Sequence, residues 1–359
     1  MICRSYILRK KIFKMLMNYS IVSVIMPIRN EATYIEATLR SIIEQDYPAE
    51  LLEIIVADGM STDKTREIIQ SFQVKQVKHH NLELIENPGR IVPTGFNAAL
   101  KCAKGDVIIR VDGHCVLDPG YVRRCVELLE ETGADNVGGL QTAVGEGLVA
   151  QAISMATGSI FGVGGARFHY ASKPGWVDTV YLGAYHRSVF NRIGLFDEEL
   201  VRNQDDEFNF RLLQAGGKIW LDPSIKVIYF SRSSFKALWR QYFQYGFYKV
   251  RVIQKRGAVP SWRHLIPATF VSGLIISFVL AWVTGNPLWA LVISGPYVAA
   301  NLFASLWTAR RDWRTLSLLP LAFLTLHLAY GFGFLQGLWH WRRHWGDASS
   351  HGASEAEGQ

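Results

Sequence analysis

Two side chains that could bind a metal ion stand near the middle of the chain. In the segment RVDGHCVLD, Asp112 ends the strand pattern of 106–112 and His114 follows two residues later. A carboxylate at this position could hold Mg²⁺ or Mn²⁺ while the ion bridges phosphate oxygens, and an imidazole as second ligand favours Mn²⁺. The plainer interpretation is a polar turn, in which Asp118 and Pro119 begin the next helix.

Further acidic side chains stand at the end of another strand pattern and at the start of a later helix. Asp58 ends the run LEIIVAD and could accept hydrogen bonds from a base or a ribose, although a lone Asp there is also typical of a helix cap. Asp205, Asp206 and Glu207 open an apolar helical pattern, where the helix dipole favours them. The run holds more negative charge than capping needs, so one member could act as a general base. Spacing alone leaves the choice among the three open.

The elements that must position these groups alternate between strands and helices. Strand patterns cover 21–28, 52–58, 82–86 and 106–112, and helical patterns cover 32–45, 63–72, 93–103 and 118–132. Apolar strands separated by helices of this length predict an α/β fold with a mostly parallel sheet covered on both faces. Ligands of such sheets bind beyond the carboxyl ends of the strands. The polar residues expected at that edge are Arg29, Asn30, Glu31, Asp58, Asp112 and His114.

Later segments are less regular and then become apolar. We predict a basic tail at 1–19, a folded domain at 20–233, an interfacial amphipathic helix at 234–264, a membrane region of about three helices at 265–340 and a polar tail at 341–359. The segment at 234–256 places aromatic and basic residues on different faces, as an interfacial helix does, and an ordinary packed helix is the alternative.

Three apolar segments, at about 265–284, 287–307 and 315–338, each reach the ~20 residues that cross a ~30 Å hydrocarbon core. Helices buried in a soluble domain are the alternative. Basic residues precede the first segment and separate the second from the third. The positive-inside rule therefore predicts a multi-pass protein of the cell inner membrane with a cytoplasmic 20–233 domain and an external turn at Gly285 and Asn286. Three crossings would leave Arg342 and Arg343 outside, so the last segment is either re-entrant or tolerates those charges there.

The formal net charge of +7 does not indicate nucleic acid as a partner. The basic residues of the chain cluster beside the apolar segments, which indicates anionic lipid headgroups as the partner instead. The basic first twenty residues contain no apolar core of a cleaved signal peptide, so they form a surface tail or translation begins at Met15 or Met17. The four cysteines show no metal-binding spacing and are expected to be free thiols.

The chain resembles family-2 glycosyltransferases with the GT-A fold, and among them the bacterial succinoglycan-type exopolysaccharide transferases. SVIMPIRNEATYIEATLRSI resembles the opening strand and loop of that family at Pro27, Asn30 and Glu31, with Arg29 between them. ADGMSTDKT resembles the element that binds the base, which implies that role for Asp58.

The same resemblance extends to the metal motif and the acceptor side. RVDGH stands where the family has an aspartate-x-aspartate motif, which implies metal and diphosphate roles for Asp112 and His114. LGAYHRSVFNRIGLFDE resembles the acceptor strand and basic pair, and the glutamate-aspartate motif of the family appears as Gln204 and Asp205. Asp205 is therefore the favoured base. The remaining residues assigned to substrate on this side are Gly183, Ala184, Arg187, Gln204 and Asp206.

Three departures from the family pattern bear on the site. His114 replaces the second aspartate of the metal motif. GFNAAL has Phe96 where many relatives carry an arginine that meets the diphosphate, so Arg90 is the candidate substitute, with Asn97 of the same segment as a further substrate contact. RQYFQYG stands where processive synthases carry glutamine-x-x-arginine-tryptophan, which favours the addition of a single sugar.

Taken together, the resemblance implies an inverting transfer of one sugar from a nucleotide diphosphate donor, with uridine preferred, to a polyprenyl-linked acceptor in exopolysaccharide biosynthesis. It implies Mg²⁺ or Mn²⁺ as the cofactor and other polysaccharide-assembly proteins as partners. One alternative is a polyprenyl-phosphate sugar synthase, whose acceptor is the lipid phosphate. A second is a non-catalytic membrane scaffold that kept the nucleotide-binding fold.

Overall fold

A computed structural model describes residues 19–75, 81–259 and 261–345. The predicted basic tail up to residue 18, and residues 346–359 of the predicted polar tail, lie outside the described residues. The chain forms two compact units that interleave along the sequence. The first unit comprises residues up to 141 together with 171–198 and 212–229, and the second comprises 142–170, 199–211 and the chain from 230 onwards.

Nine strands and twelve helices make up the regular structure of the described residues. The strands are β1 (Val22–Ile28), β2 (Leu52–Asp58), β3 (Asn81–Glu86), β4 (Val107–Arg110), β5 (Cys115–Leu117), β6 (Asn136–Val144), β7 (Gly175–Trp176), β8 (Tyr181–His186) and β9 (Ile219–Phe230). The helices are α1 (Ile35–Ile43), α2 (Thr65–Lys75), α3 (Val92–Cys102), α4 (Tyr121–Thr132), α5 (Gly147–Thr157), α6 (Ile160–Val163), α7 (Arg187–Ile193), α8 (Gln204–Gln214), α9 (Phe235–Arg256), α10 (Ile266–Thr284), α11 (Leu288–Ala309) and α12 (Leu319–His340).

The core of the first unit is a sheet with the strand order β3-β2-β1-β4-β8-β6-β9-β5, to which β7 adds through β9. β1 and β2 are buried along their whole length, as expected for strands covered by helices on both faces. The helix α1 buries Ile35, Leu39 and Ile42, a spacing that places all three on one face. The apolar runs read from the sequence thus form the centre of this unit.

The sheet is mixed, and the prediction of a mostly parallel sheet is correct for only part of it. The order β3-β2-β1-β4 is parallel throughout, as the alternation of strands and helices predicted. Beyond β4, the pairs β4–β8, β8–β6 and β9–β5 are antiparallel. The sequence pattern missed β5 because it has three residues, and β6 because Gly138 and Gly139 interrupt its apolar alternation.

Within the second unit, α9 and α12 pack in close backbone contact. A Cβ placed on Gly246 of α9 would collide with the carbonyl oxygen of Tyr330, and a Cβ on Gly333 of α12 would collide with that of Phe243. Small residues at a helix interface permit this approach in membrane proteins. The predicted helix at 234–256 is confirmed as α9, and its contacts with α12 agree with the packed-helix alternative.

Among the described residues, three helical segments are long and apolar enough to cross a membrane: Trp262–Thr284, Leu288–Ala309 and Leu319–His340. They coincide with the three apolar segments read from the sequence. The short loop at Gly285 and Asn286 joins α10 to α11, as predicted.

The glycine contact between α9 and α12 yields a stability prediction. Gly333→Ala should destabilise the folded protein by ~1–3 kcal/mol, because the added methyl group meets the Phe243 carbonyl and forces the helices apart. Gly295→Ala in α11 is the matched control, since nothing lies within 4 Å of its Cβ position and alanine favours a helix. Thermal unfolding in detergent measures both variants, and equal melting temperatures would contradict the close contact.

Candidate active site

Asp112 follows β4 and is held as an anion by two neighbours. Arg110 Nη2 donates to Asp112 Oδ1 at 2.8 Å, and the Tyr181 hydroxyl donates to Oδ2 at 3.3 Å. Burial works to raise the pKa of Asp112, but the charge of the Arg110 guanidinium and its hydrogen bond outweigh burial and hold the pKa below its ordinary value. The carboxylate is therefore charged and shielded from bulk water.

His114, two residues on, is oriented by a carboxylate. Its Nδ1 lies 2.8 Å from Oε1 of Glu31, so the carboxylate accepts the Nδ1 proton and leaves the Nε2 lone pair available in the neutral ring. The Tyr229 ring packs edge-on against the imidazole with a centroid distance of 5.1 Å. Carboxylates in this position behind a histidine fix the ring orientation of metal ligands in proteins.

Glycine at position 113 brings the loops after β1 and β4 together. A Cβ on Gly113 would lie 2.7 Å from Cγ of Glu31, so a larger residue would push away the carboxylate that orients His114. The Thr38 hydroxyl of α1 donates to the Gly113 carbonyl at 3.1 Å and fixes the turn from the other side. The geometry of the turn thus depends on the helix that follows β1.

The loop after β1 is also cross-linked to the loop after β2. Asn30 Oδ1 accepts from the Thr62 amide at 2.8 Å, and the Glu31 amide donates to the Thr65 hydroxyl at 2.8 Å. Asn30 adopts a positive φ of 56°, a conformation that asparagine tolerates better than most residues. The shape of this edge therefore comes from side chains that hold the loops, with Asn30 acting as a link between them.

Asp58 is fully buried at the carboxyl end of β2. Its Oδ2 accepts from the Ser61 amide at 3.1 Å and lies 3.6 Å from Arg66 Nε. These contacts fold the turn that follows β2, whereas the amide of Thr65, the first residue of α2, donates to Asp63 at 3.0 Å. The contacts of Asp58 leave further lone pairs on its carboxylate, which can accept up to about four hydrogen bonds.

Four other predicted residues lie in the same unit with distinct surroundings. Pro27 is in β1 opposite Ala57, and Arg29 is exposed at the strand end. Arg90 is exposed in a turn, with φ of 61°. Asn97 is buried in α3, where its amide group donates to the Phe196 carbonyl at 2.8 Å and accepts from the Phe196 amide at 3.0 Å. Asn97 therefore ties α3 to the chain near residue 196.

The antiparallel direction of β8 separates Arg187 from the other predicted site residues. Ala184 pairs with Ile109, and His186 pairs with Val107 at the start of β4. Arg187 consequently donates from Nε to the Gly105 carbonyl at 2.6 Å, before β4 begins. Asp112 lies at the opposite end of that strand, so the structure does not bring Arg187 together with Asp112 and His114. Gly183 lies within β8, where a Cβ would meet Asn136 and Tyr185.

The acidic run at the start of α8 lies in the second unit, and its members have different partners. The Lys249 ammonium pairs with Asp206, and Arg211 pairs with Glu207 at 2.9 Å, where Arg256 joins it. Burial works to raise the pKa of Asp206, but the charge of Lys249 lowers it to about 2. Oδ1 of Asp205 accepts from the Asp206 amide at 3.0 Å, and Gln204 is buried beside it.

The residues at the carboxyl end of β4 fit a divalent cation that also binds substrate. Within 19–75, 81–259 and 261–345, no group of three side chains is arranged to hold a metal ion. A site of one carboxylate and one imidazole needs phosphate oxygens and water to complete it, and Mg²⁺ in nucleotide-dependent enzymes is commonly held by only one or two protein carboxylates together with substrate phosphates. The charged Asp112 and the oriented His114 are the two side chains at this edge that would hold such a cation.

Three side chains of this site were missed in the sequence. Arg110, Tyr181 and Tyr229 surround Asp112 and His114, but only Arg110 stands close to them in the chain. Its spacing of two residues from Asp112, on one side of a strand, was a usable signal. Tyr181 and Tyr229 come from strands whose antiparallel register the sequence did not show.

Comparisons with known sequences identify the family of this chain. The profile described as Glycosyl transferase family 2 matches residues 23–194. The succinoglycan biosynthesis protein ExoA of Rhizobium meliloti is 30% identical over 326 residues, covering 89% of this chain and 96% of its own. A dolichyl N-acetyl-alpha-D-glucosaminyl phosphate 3-beta-D-2,3-diacetamido-2,3-dideoxy-beta-D-glucuronosyltransferase of Methanococcus voltae is 29% identical, covering 88% and 97%.

A solved structure has the same fold. The mannosyltransferase PcManGT from Pyrobaculum calidifontis, in complex with GDP-Man and Mn²⁺, matches with a TM-score of 0.63 at 19% identity and covers 89% of this chain and 88% of its own. The mixed sheet flanked by helices is the GT-A fold, as the motifs predicted. The chain therefore belongs to glycosyltransferase family 2.

Proposed function

We propose that this glycosyltransferase moves one sugar from a nucleotide diphosphate donor to a lipid-linked acceptor, with inversion at the anomeric carbon. The observation that carries the proposal is the pair formed by the charged Asp112 and the oriented His114 beyond the carboxyl end of β4. Ligands of open α/β sheets bind at that edge. A diphosphate leaving group requires a bound cation, and this pair supplies a fixed position for one.

On this proposal, Asp112 and Nε2 of His114 hold Mg²⁺ or Mn²⁺, with Glu31 keeping the imidazole in position. When bound, the cation neutralises charge on the departing diphosphate. The similar mannosyltransferase was solved with GDP-Man and Mn²⁺, which supports a nucleotide sugar and a divalent cation for this chain as well. Asp58, in the turn after β2, is proposed to accept hydrogen bonds from the base or ribose.

Asp205 is the residue that we propose as the general base. The Lys249 ammonium pairs with Asp206 and holds the pKa of that carboxyl below its ordinary value, which weakens it as a base and argues against Asp206. Glu207 is fully buried between Arg211 and Arg256, which argues against it equally. Asp205 then takes the proton of the acceptor hydroxyl while the oxygen attacks the anomeric carbon. A single displacement of this kind inverts the configuration.

Two observations support a lipid-linked acceptor. Three helical segments of the second unit are apolar enough to cross a membrane. The printed names of two relatives concern succinoglycan biosynthesis and a dolichyl-linked sugar phosphate. The second name describes transfer to a sugar carried by the lipid, which favours a hydroxyl acceptor over the lipid phosphate of the synthase alternative.

The test of this proposal uses membranes that contain the full chain. A panel of UDP and GDP sugars is supplied with and without Mn²⁺, and transfer to lipid is measured together with nucleotide release. We expect Asp205→Asn to fold and bind donor but to lose turnover by ~10²-fold or more, because the amide cannot accept the proton.

Full activity of Asp205→Asn would rule out Asp205 as the general base. It would favour the lipid phosphate as the acceptor, because that anion needs no base. Absence of both transfer and nucleotide release with every donor would favour the scaffold alternative. Asp46→Asn, which changes an exposed carboxylate of the first unit, is the matched control and should retain activity.

The pair of Lys249 and Asp206 yields a separate stability prediction. Lys249→Met should cost ~3–5 kcal/mol of folding free energy, because it leaves a largely buried carboxylate without its nearest cation. Lys236→Met, at an exposed position of the same helix, should change stability by less than ~0.5 kcal/mol. Thermal unfolding compares the two, and adding Asp206→Asn to Lys249→Met should restore part of the loss. Equal melting temperatures for the two single variants would contradict a stabilising pair.

A further inference from the structure

The three apolar helices of the second unit differ in how much of their surface the protein covers. Half of the most apolar window of α12 is buried, against 17% for Trp262–Thr284 and 11% for α11. A helix that crosses a membrane on its own exposes most of its surface to lipid. The burial of α12 therefore sets it apart from α10 and α11, although its length and composition are similar.

The helix α9 covers most of α12, and α11 also contacts α12 through the Tyr297 hydroxyl, which lies 3.0 Å from Nδ1 of His327. The helices α9 and α12 run side by side in the same direction. Leu238 near the start of α9 shares a cluster with Phe323 of α12, and Gly246 in the middle packs against Tyr330. At the far end, Gln254 Nε2 donates to the Trp341 carbonyl at 2.8 Å. The contact thus continues from the first turns of α12 to its last residues.

The helix α9 cannot enter the hydrocarbon core. Its second half carries four cations, which pair with acidic residues of 199–207: Lys249 with Asp206, Arg251 and Lys255 with Glu199, and Arg256 with Glu207. Carrying this network to the centre of a bilayer would cost several kcal/mol for each charge. Because α12 is packed against α9 along its length, α12 must lie at the same depth relative to the membrane as α9.

The contact between α10 and α12 lies at one end of α10. A Cβ on Gly331 of α12 would collide with the backbone of Pro267 and the side chain of Val271, both in the first turns of α10. Large apolar side chains are exposed beyond that point: Ile275, Ile276, Phe278, Val279, Leu280, Trp282 and Val283. The tip of the hairpin formed by α10 and α11 is therefore clear of α12.

Exposed tryptophans mark both ends of the hairpin. Trp262 and Trp282 stand twenty residues apart along α10 and the turn before it, and Trp289 and Trp307 stand eighteen apart in α11. At 1.5 Å per residue these separations are about 30 Å and 27 Å, close to the thickness of a hydrocarbon core. Tryptophan is enriched at both membrane–water interfaces, so the spacing indicates that α10 and α11 cross.

The same kind of Arg–Trp pair occurs at the end of α12 and at the inner end of α11. The Arg310 guanidinium lies over the Trp307 ring at 4.2 Å, and the Arg342 guanidinium lies over the Trp339 ring at 4.2 Å. Such a pair suits the headgroup level, where the ring faces apolar chains and the cation faces phosphate. Leu321, Phe332 and Trp339 are exposed at intervals of eleven and seven residues, which places them on one face of α12.

We propose that only α10 and α11 cross the bilayer, and that α12 lies against the membrane surface on the side of α9, with Leu321, Phe332 and Trp339 towards the lipid. Anionic headgroups on that side then face Arg342 and Arg343 together with Arg310 and Arg311. This arrangement places every one of these cations on the inner side and agrees with the positive-inside rule, which three crossings did not. The proposal does not depend on the reaction that the enzyme catalyses.

The test is cysteine accessibility in the full chain. In a background where Cys3 and Cys102 are serine, single cysteines are placed at Asn286→Cys, Trp345→Cys and Ser233→Cys, all at exposed positions. A membrane-impermeant maleimide is applied to intact bacterial cells with a permeabilised outer membrane, and again after lysis. We expect Asn286→Cys to be labelled in intact cells, and Trp345→Cys and Ser233→Cys to be labelled only after lysis.

Labelling of both Asn286→Cys and Trp345→Cys in intact cells would mean three crossings and would overturn the proposal. Labelling of Asn286→Cys only after lysis would mean that the hairpin does not cross, and would overturn it equally. A green fluorescent protein fused after Gln359 gives a second measurement that needs no substitution. It should fluoresce, because the C-terminus lies in the cytoplasm; a dark fusion at normal expression would contradict the proposal.

Discussion

The ion pair between Arg110 and Asp112 is the interaction on which the proposed donor site depends. A carboxylate as buried as Asp112 would take up a proton unless a cation stood beside it, and a protonated acid is a poor metal ligand. Arg110 lies on the preceding strand at 2.8 Å, and Tyr181 reaches the other oxygen from β8. The charge that makes this edge useful is therefore fixed by the sheet itself, before any nucleotide arrives.

Ion pairs also give the three acidic residues at the start of α8 different roles. Lys249 holds Asp206, and Arg211 and Arg256 hold Glu207, so two of the three carboxylates act in the packing of the second unit. Breaking a buried pair costs far more than an exposed one, which gives these contacts weight in stability. The same helix α9 that supplies Lys249 and Arg256 also covers α12. The fold of the acidic segment and the placement of the last apolar helix thus share one set of ion pairs.

The sequence predicted the parallel half of the sheet because its strands are buried on both faces and read as continuous apolar runs. The position of Asp58, Asp112 and His114 at strand ends followed from the same pattern. The antiparallel half could not be predicted, since its strands are short or interrupted by glycine, and direction depends on contacts between distant segments. The separation of Arg187 from Asp112 has the same origin: Ala184 pairs with Ile109, and the reversed strand returns the chain to the start of β4. Tyr181 and Tyr229 were missed on the same ground.

The most direct test of the account measures nucleotide binding, independently of turnover. Calorimetry with the full chain in detergent follows UDP and GDP binding with and without Mn²⁺, for the native protein and for Asp112→Asn. We expect Mn²⁺ to tighten the binding of one of the nucleotides to the native protein, and we expect Asp112→Asn, with its fold checked by circular dichroism, to lose that effect. Equal binding with and without Mn²⁺, or an unchanged Mn²⁺ effect in Asp112→Asn, would contradict a cation held by Asp112 and His114 at the end of β4.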